Sequence, residues 1–286
     1  ASNILFQFLL NIKDKNIKFY IPANICPIVP AVFVKANINF AFIDIDRKTY
    51  EINRNKFLNS KLVNQKFGIL WTNGYGRQFN NENFFKDIKF LNNDNVIIDD
   101  KCLEIPNIKL KKSIADLTLF STGYSKYVDI NYGGFGYVNS ELNYSHQSYN
   151  DKNYLSLIKN FYYCINNKHK IKINLIKKNW LDYSLKFKND NYENTILNYL
   201  PKIKIDKKKI NKIYTSIIPN KMQLDKAYNN WRFNIKVKNP NKLLKEIFEN
   251  NLFASRHYYP ANLLFNNQKL KNTNYVFKEV LNLFND

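Results

Sequence analysis

The sequence predicts an α/β fold: a mostly parallel sheet flanked by helices, followed by a smaller C-terminal α+β domain. Three observations predict it. Short apolar runs alternate with helix-sized segments through the first half; a glycine-marked strand follows at Gly133–Val138; beyond about Asn139 the pattern turns helical and polar before a last strand-and-helix unit. Near-continuous apolar strands of this kind are what a parallel sheet covered on both faces requires.

Taken in order, Ile4–Leu10 reads as a helix and Ile17–Ile21 as a strand, with further strands at Ile38–Ile43, Phe67–Trp71, Val96–Ile98 and Leu117–Phe120. Asp151–Lys168 and Asn174–Phe187 read as helices, and the Lys-rich stretch Tyr199–Lys209 as a connection. The last unit begins near Ile210 with a strand at Trp231–Val237 and helices at Pro240–Asn250 and Thr273–Phe284; Pro240 suits a first helical turn, where its missing N–H has no partner to lose. The predicted domains are therefore 1–200 and 201–286.

Composition narrows the function classes. The 286 residues are 45% hydrophobic and 16% aromatic, enough to build a core. The net charge of +21 is spread over an Asn/Lys/Ile-rich chain rather than gathered in one arm, so it reads as a solvated surface, not a nucleic-acid groove. Three cysteines without metal-like spacing indicate neither a disulfide framework nor a zinc site, and fit a reducing cytoplasm. His146, His169 and His257 do not form a metal cluster by spacing, and no apolar run reaches membrane-spanning length.

The chemistry concentrates at strand ends. Val96–Ile98 delivers Asp99 and Asp100 to a carboxyl end, where open α/β sheets bind ligands, although acids there also serve as caps. The next strand ends in Ser121-Thr122-Gly123-Tyr124-Ser125-Lys126. A lysine in such an apolar loop is expected to have its pKa lowered by desolvation, freeing a nucleophilic amine. Ser121 and Ser125 are hydroxyl donors suited to a phosphate, and Gly133-Gly134 permits close backbone approach.

These blocks, in this order, resemble the DegT-like sugar aminotransferases, pyridoxal-phosphate (PLP) enzymes of fold type I. Ile21–Pro27 resembles the family's "VPAYTCP" turn, Phe42–Asp46 with Tyr50 and Asn53 its "FVDIDPDTYNID", and Gly74–Arg77 its "LYGR" turn. Ile98–Asp100 resembles "IED", Ser121–Lys126 "SFxxxK", and Gly133–Val138 the "GGxxx" strand; Trp231–Phe233 and Ala254–Pro260 are looser echoes. The resemblance implies that Lys126 carries the cofactor, Asp100 holds the pyridine nitrogen and Ser121 binds phosphate. It places Ser2 and Asn3 at a phosphate-binding helix start, though Ser or Asn is also an ordinary N-cap. It places Cys26 where many members stack an aromatic on the ring, Leu103 where a Gln or His is usual, and Trp71 where His is commoner; Trp71 reads as core.

At the substrate edge it places Arg256, His257 and Tyr258. An isolated His is also an ordinary structural residue, and Arg256 and Arg232 are the better candidates for an acidic group. The implied activity is amino transfer from an amino acid, glutamate, to a nucleotide-linked keto sugar, in a cytoplasmic homodimer. The alternatives are a PLP-dependent sugar dehydratase or lyase, or a non-catalytic member. The chain opens at the phosphate turn and has no counterpart of the family's "NYR" segment, as expected of a fragment or a shortened member.

Overall fold

In the computed structural model, described for residues 1–13, 16–110, 113–143, 150–181 and 191–286, the apolar runs of the first half become one sheet. The elements are α1 (Ser2–Asn11), β1 (Lys18–Pro22), α2 (Ile28–Ala36), β2 (Phe40–Ile43), α3 (Arg54–Leu58), β3 (Phe67–Trp71), α4 (Glu82–Leu91), β4 (Val96–Asp100), β5 (Leu117–Ser121) and β6 (Gly134–Val138). The order is β2-β1-β3-β4-β5-β6, parallel throughout except for β6, which runs antiparallel to β5.

Alternation along each strand sends successive side chains to opposite faces. Phe19, Ile21, Leu70, Ile98, Leu117 and Leu119 join the core under α1 and α2, while Tyr20, Ile69, Trp71 and Ile97 join Phe57, Phe84 and Phe85 on the face covered by α3 and α4. Both faces are buried, which is why the strands are legible as unbroken apolar runs rather than alternating ones.

The chain continues through α5 (Asp151–Asn167), α6 (Ile173–Ile176) and α7 (Tyr192–Ile217). The C-terminal unit holds β7 (Phe233–Lys236), α8 (Pro240–Glu249), β8 (Ala254–Ser255), α9 (Ala261–Phe265), α10 (Lys271–Glu279) and β9 (Val280–Leu283), with sheet order β7-β9-β8, all antiparallel.

Three expectations are corrected. The stretch Tyr199–Lys209 is not a connection but the middle of α7, so a boundary at 200/201 would cut a continuous helix. The helix expected over Asn174–Phe187 is a single turn, α6, as far as the described residues go; 182–190 lie outside them. The helix expected over Thr273–Phe284 ends at Glu279, because Val280–Leu283 is wholly buried as the middle strand between β7 and β8.

Candidate active site

The alternation that builds the core also sorts the two adjacent acids. Asp100 shares the face of Ile98, towards α1 and α2, whereas Asp99 shares the face of Ile97 and Trp71. Only Asp100 lines the cavity of about 630 Å³ at the carboxyl ends of β1, β3, β4 and β5. Its Oδ1 accepts a hydrogen bond from the Cys102 N–H at 3.0 Å. Asp99 instead lies 3.5 Å from the Lys101 ammonium, and burial pushes its carboxyl up to about 6.

Ser121 extends the same face of β5 and also lines the cavity. The loop after it brings Lys126 into the same space. Burial works to lower the Lys126 pKa, but the surrounding Tyr258, Cys102, Cys26 and Asp100 outweigh it, and the amine is held above its ordinary value. The expectation of a lowered pKa fails for that reason: the acidic groups that overturn it come from three other segments of the chain.

Ser2, at the start of α1, and Cys26 line the cavity as expected, and burial raises the Cys26 thiol. Asn3 does not line it; its Oδ1 takes a long 3.5 Å hydrogen bond from Gln7 Nε2 one turn along the helix. From the C-terminal unit, His257 and Tyr258 reach the cavity. The His257 backbone N–H donates to Asn282 Oδ1 at 2.7 Å, its Nδ1 lies 2.9 Å from Ser255 Oγ, and its ring stands edge-on to Trp231 with centroids 5.1 Å apart. Burial, reinforced by the positive charges of Lys126 and Arg232, pushes the imidazole down to about 4, so it is neutral at physiological pH.

The arginines do not take part as expected. Arg256 points away from the cavity: its Nη1 donates to Asn241, its Nη2 to the Phe277 carbonyl at 2.6 Å, and the guanidinium lies 4.1 Å from the Phe277 ring centroid. Arg232 is buried against the Phe284 ring, ion-paired with Asp286, and its Nη2 donates to Ser125 Oγ at 3.0 Å. Gly133 is needed for packing rather than for a ligand. Its φ is +87°, and a Cβ there would meet Tyr192 of α7 at 2.7 Å; neither Gly133 nor Gly134 lines the cavity. Leu103 lines the wall, and Trp71 is fully buried core whose Nε1 donates to Asn73 Oδ1 at 3.1 Å.

Several lining residues escaped the sequence reading. Asn73 donates to Glu104 Oε1 at 2.9 Å, and burial pushes the Glu104 carboxyl up to about 8. Tyr154, Ile158 and Tyr162, spaced four apart along α5, form one side of the mouth, with Tyr162 65% exposed. Their helical spacing was visible, but nothing local tied that helix to the strand ends. No group of three or more His, Cys, Asp or Glu that could hold a metal occurs among the described residues; His146 lies outside them. Among the described residues no helix is long and apolar enough to cross a membrane.

No protein-family model matches the sequence, and no curated protein does. Solved structures match over nearly the whole chain. The sugar aminotransferase CalS13 from Micromonospora echinospora aligns with TM-score 0.66 at 9% identity, over 99% of this chain and 80% of that one. A DegT DnrJ EryC1 StrS aminotransferase from Brucella abortus aligns with TM-score 0.63 at 13% identity, over 98% of this chain and 78% of that one. The E. coli GDP-4-keto-6-deoxy-D-mannose-3-dehydratase, solved with bound hydrated PLP, aligns with TM-score 0.62 at 14% identity, over 99% and 81%. At such identities the likeness is one of architecture: this chain, with its mostly parallel six-stranded sheet and C-terminal α+β unit, shares the fold of these enzymes.

Proposed function

We propose that the chain is a PLP-dependent aminotransferase that moves an amino group from an amino acid, glutamate, to a nucleotide-linked keto sugar. The observation that carries this is the placement of Asp100 and Lys126 in one cavity, from the ends of the neighbouring parallel strands β4 and β5. The residues present fit the cofactor. A carboxylate faces the cavity to meet a ring nitrogen, an amine faces it to meet an aldehyde, and the Ser2 and Ser121 hydroxyls with the amino end of α1 suit a phosphate. A volume of about 630 Å³ is within the range of small-molecule sites.

Bound there, PLP supplies an electron sink for the carbon that gains or loses nitrogen. The protein's own part is to orient and to move protons. Asp100 would meet the ring nitrogen and favour its protonated form. Lys126, cationic in the chain alone, would hold the cofactor's aldehyde after losing a proton, and its amine faces the cavity where a proton would have to move to and from the substrate carbon. Neutral His257 and the Tyr258 hydroxyl face the substrate from the C-terminal unit.

A sugar dehydratase on the same fold is the second reading, favoured by the E. coli enzyme among the similar structures. The resemblance weighs against it, since relatives that dehydrate can replace the lysine by histidine, and this chain keeps Lys126. Homodimerisation and a cytoplasmic site are part of the proposal; the first is supported by the cavity mouth that Tyr154 and Tyr162 leave exposed, the second by three free cysteines. Borohydride reduction in the presence of PLP, followed by peptide mapping, is the test. A pyridoxyl group on Lys126, with glutamate converting the cofactor to its amine form, is expected. Labelling of another lysine, or none, refutes the assignment; labelling without conversion by glutamate favours the dehydratase.

A further inference from the structure

We infer that Trp231 and Arg232 are positioning residues that clamp the Lys126 loop from the C-terminal unit. All three polar groups of Ser125, the residue before Lys126, are engaged. Its N–H donates to Asp129 Oδ2 at 2.6 Å, within the loop. Its carbonyl accepts from Trp231 Nε1 at 2.8 Å, and its Oγ accepts from Arg232 Nη2 at 3.0 Å, across 106 and 107 positions of sequence. Ser125 is held at φ +62°, a left-handed conformation that a serine does not favour and that outside contacts must maintain.

The clamp is itself anchored. Arg232 is 1% exposed, its guanidinium stacked 3.8 Å from the Phe284 ring centroid and ion-paired with the Asp286 carboxylate. The Trp231 carbonyl accepts from the buried Lys207 ammonium at 3.1 Å, and that ammonium also donates to Asn285 Oδ1 at 2.9 Å. On the other side of Lys126, Tyr127 and Val128 are buried against Ile196 of α7, with Lys207 over the Tyr127 ring. The lysine is therefore flanked on both sides by backbone whose place is set outside the loop. Arg232 does not line the cavity, and with one Nη on Asp286 and the other on a serine hydroxyl its guanidinium serves orientation rather than substrate.

The inference rests on the reading of Lys126 as the cofactor lysine, but its primary readout needs no cofactor. Ser125→Ala removes the Oγ acceptor, and Trp231→Phe removes the indole N–H while keeping a ring beside His257. Amide hydrogen exchange of residues 121–130 is measured on the cofactor-free chain, together with melting. In Trp231→Phe that segment should exchange about five- to tenfold faster, the factor corresponding to one neutral hydrogen bond, and in Ser125→Ala, which removes a bond from a charged guanidinium, at least about tenfold faster, while exchange in β1 and β3 stays unchanged. Arg232→Lys should recover most of the protection that Arg232→Leu loses. With PLP added, the same variants should shift the pH midpoint of the lysine-bound absorbance and lower kcat more than KM. Unchanged exchange at 121–130 in both variants overturns the clamp, as does acceleration spread over the whole chain, which would mean a merely structural role. Absence of a pyridoxyl group on Lys126 in the unmutated chain instead overturns the cofactor reading, and the exchange result then judges the clamp alone.

Discussion

Asp99→Asn and Asp100→Asn change neighbouring residues by one atom, yet they should move different observables. Asp99 is 3% exposed, with Oδ1 unpartnered and Lys101 3.5 Å away, and its carboxyl is pushed from 3.8 up to about 6. A carboxyl raised in the folded state binds more protons folded than unfolded between those values, so the chain loses stability as pH rises from 3.8 to about 6. At about 1.4 kcal/mol per unit the loss is about 3 kcal/mol, and the attraction of Lys101 is already inside that figure. An asparagine closely matches the protonated acid in shape and never pays that cost. Asp99→Asn should therefore melt with the parent below pH 3.8 and about 4–8 °C above it once pH exceeds 6, with the pyridoxyl-lysine spectrum unchanged. Asp100→Asn should retain PLP and lose about a hundredfold or more in turnover, because an amide cannot hold the pyridinium charge. Thermal melts across the acidic range, with turnover at neutral pH, decide it. A gain for Asp99→Asn that does not vary with pH, or loss of turnover there with none at Asp100→Asn, would refute the two-face argument.

The remaining expectations are shorter. His257 titrates with the opposite sign: with its pKa depressed to about 4, it contributes stability that is complete above 6.5 and is lost as pH falls towards 4. After allowance for its partial exposure this is about 2 kcal/mol, and His257→Gln should flatten that acid limb; an unchanged slope in melts would place the loss elsewhere. Lys126→Ala should abolish borohydride-fixed label while leaving near-UV dichroism intact, and label surviving in that variant would refute the assignment. Phe85→Ala empties a fully buried position packed beneath β3 and β4 and should cost about 3–5 kcal/mol in denaturant unfolding; a cost below about 1 kcal/mol would mean that α4 does not carry that core.

Much of the fold was legible because the large sheet is buried on both sides. Phe67–Trp71 could be read to the residue, since no polar position interrupts it. β9 was missed for the converse reason: Val280–Leu283 follows α10 with no proline or glycine between, and its apolar run also satisfies a helix. The order of the chemical blocks brought out Asp100, Ser121 and Lys126, all of which meet in one cavity. Orientation and charge state did not come with them. Arg256 stands between Ser255 and His257, both of which line the cavity, and in extended backbone the residue between two inward neighbours turns outward. The direction of the Lys126 shift depends on Tyr258 and Cys26, a hundred or more positions away on one side and on the other.

The same geometry bears on how many chains one site needs. Although the sequence has 44 Lys+Arg, Lys126 is the only lysine or arginine among the described residues that line the cavity. The proposed donor's carboxylate and the proposed substrate's diphosphate would call for cations or guanidinium forks, and the two arginines that the sequence offered for an acidic group are committed elsewhere: Arg232 to Asp286 and Ser125, Arg256 to Asn241 and Phe277. His257, neutral at physiological pH, supplies no charge. Among the described residues the cavity holds one side-chain cation, assigned to the cofactor in the proposal, and its mouth is walled by exposed tyrosines, so it offers little positive charge to a dianionic substrate of the proposed kind. We propose that a second copy closes that mouth and brings the missing positive charge; the charge of the proposed substrate supports a dimer alongside the resemblance.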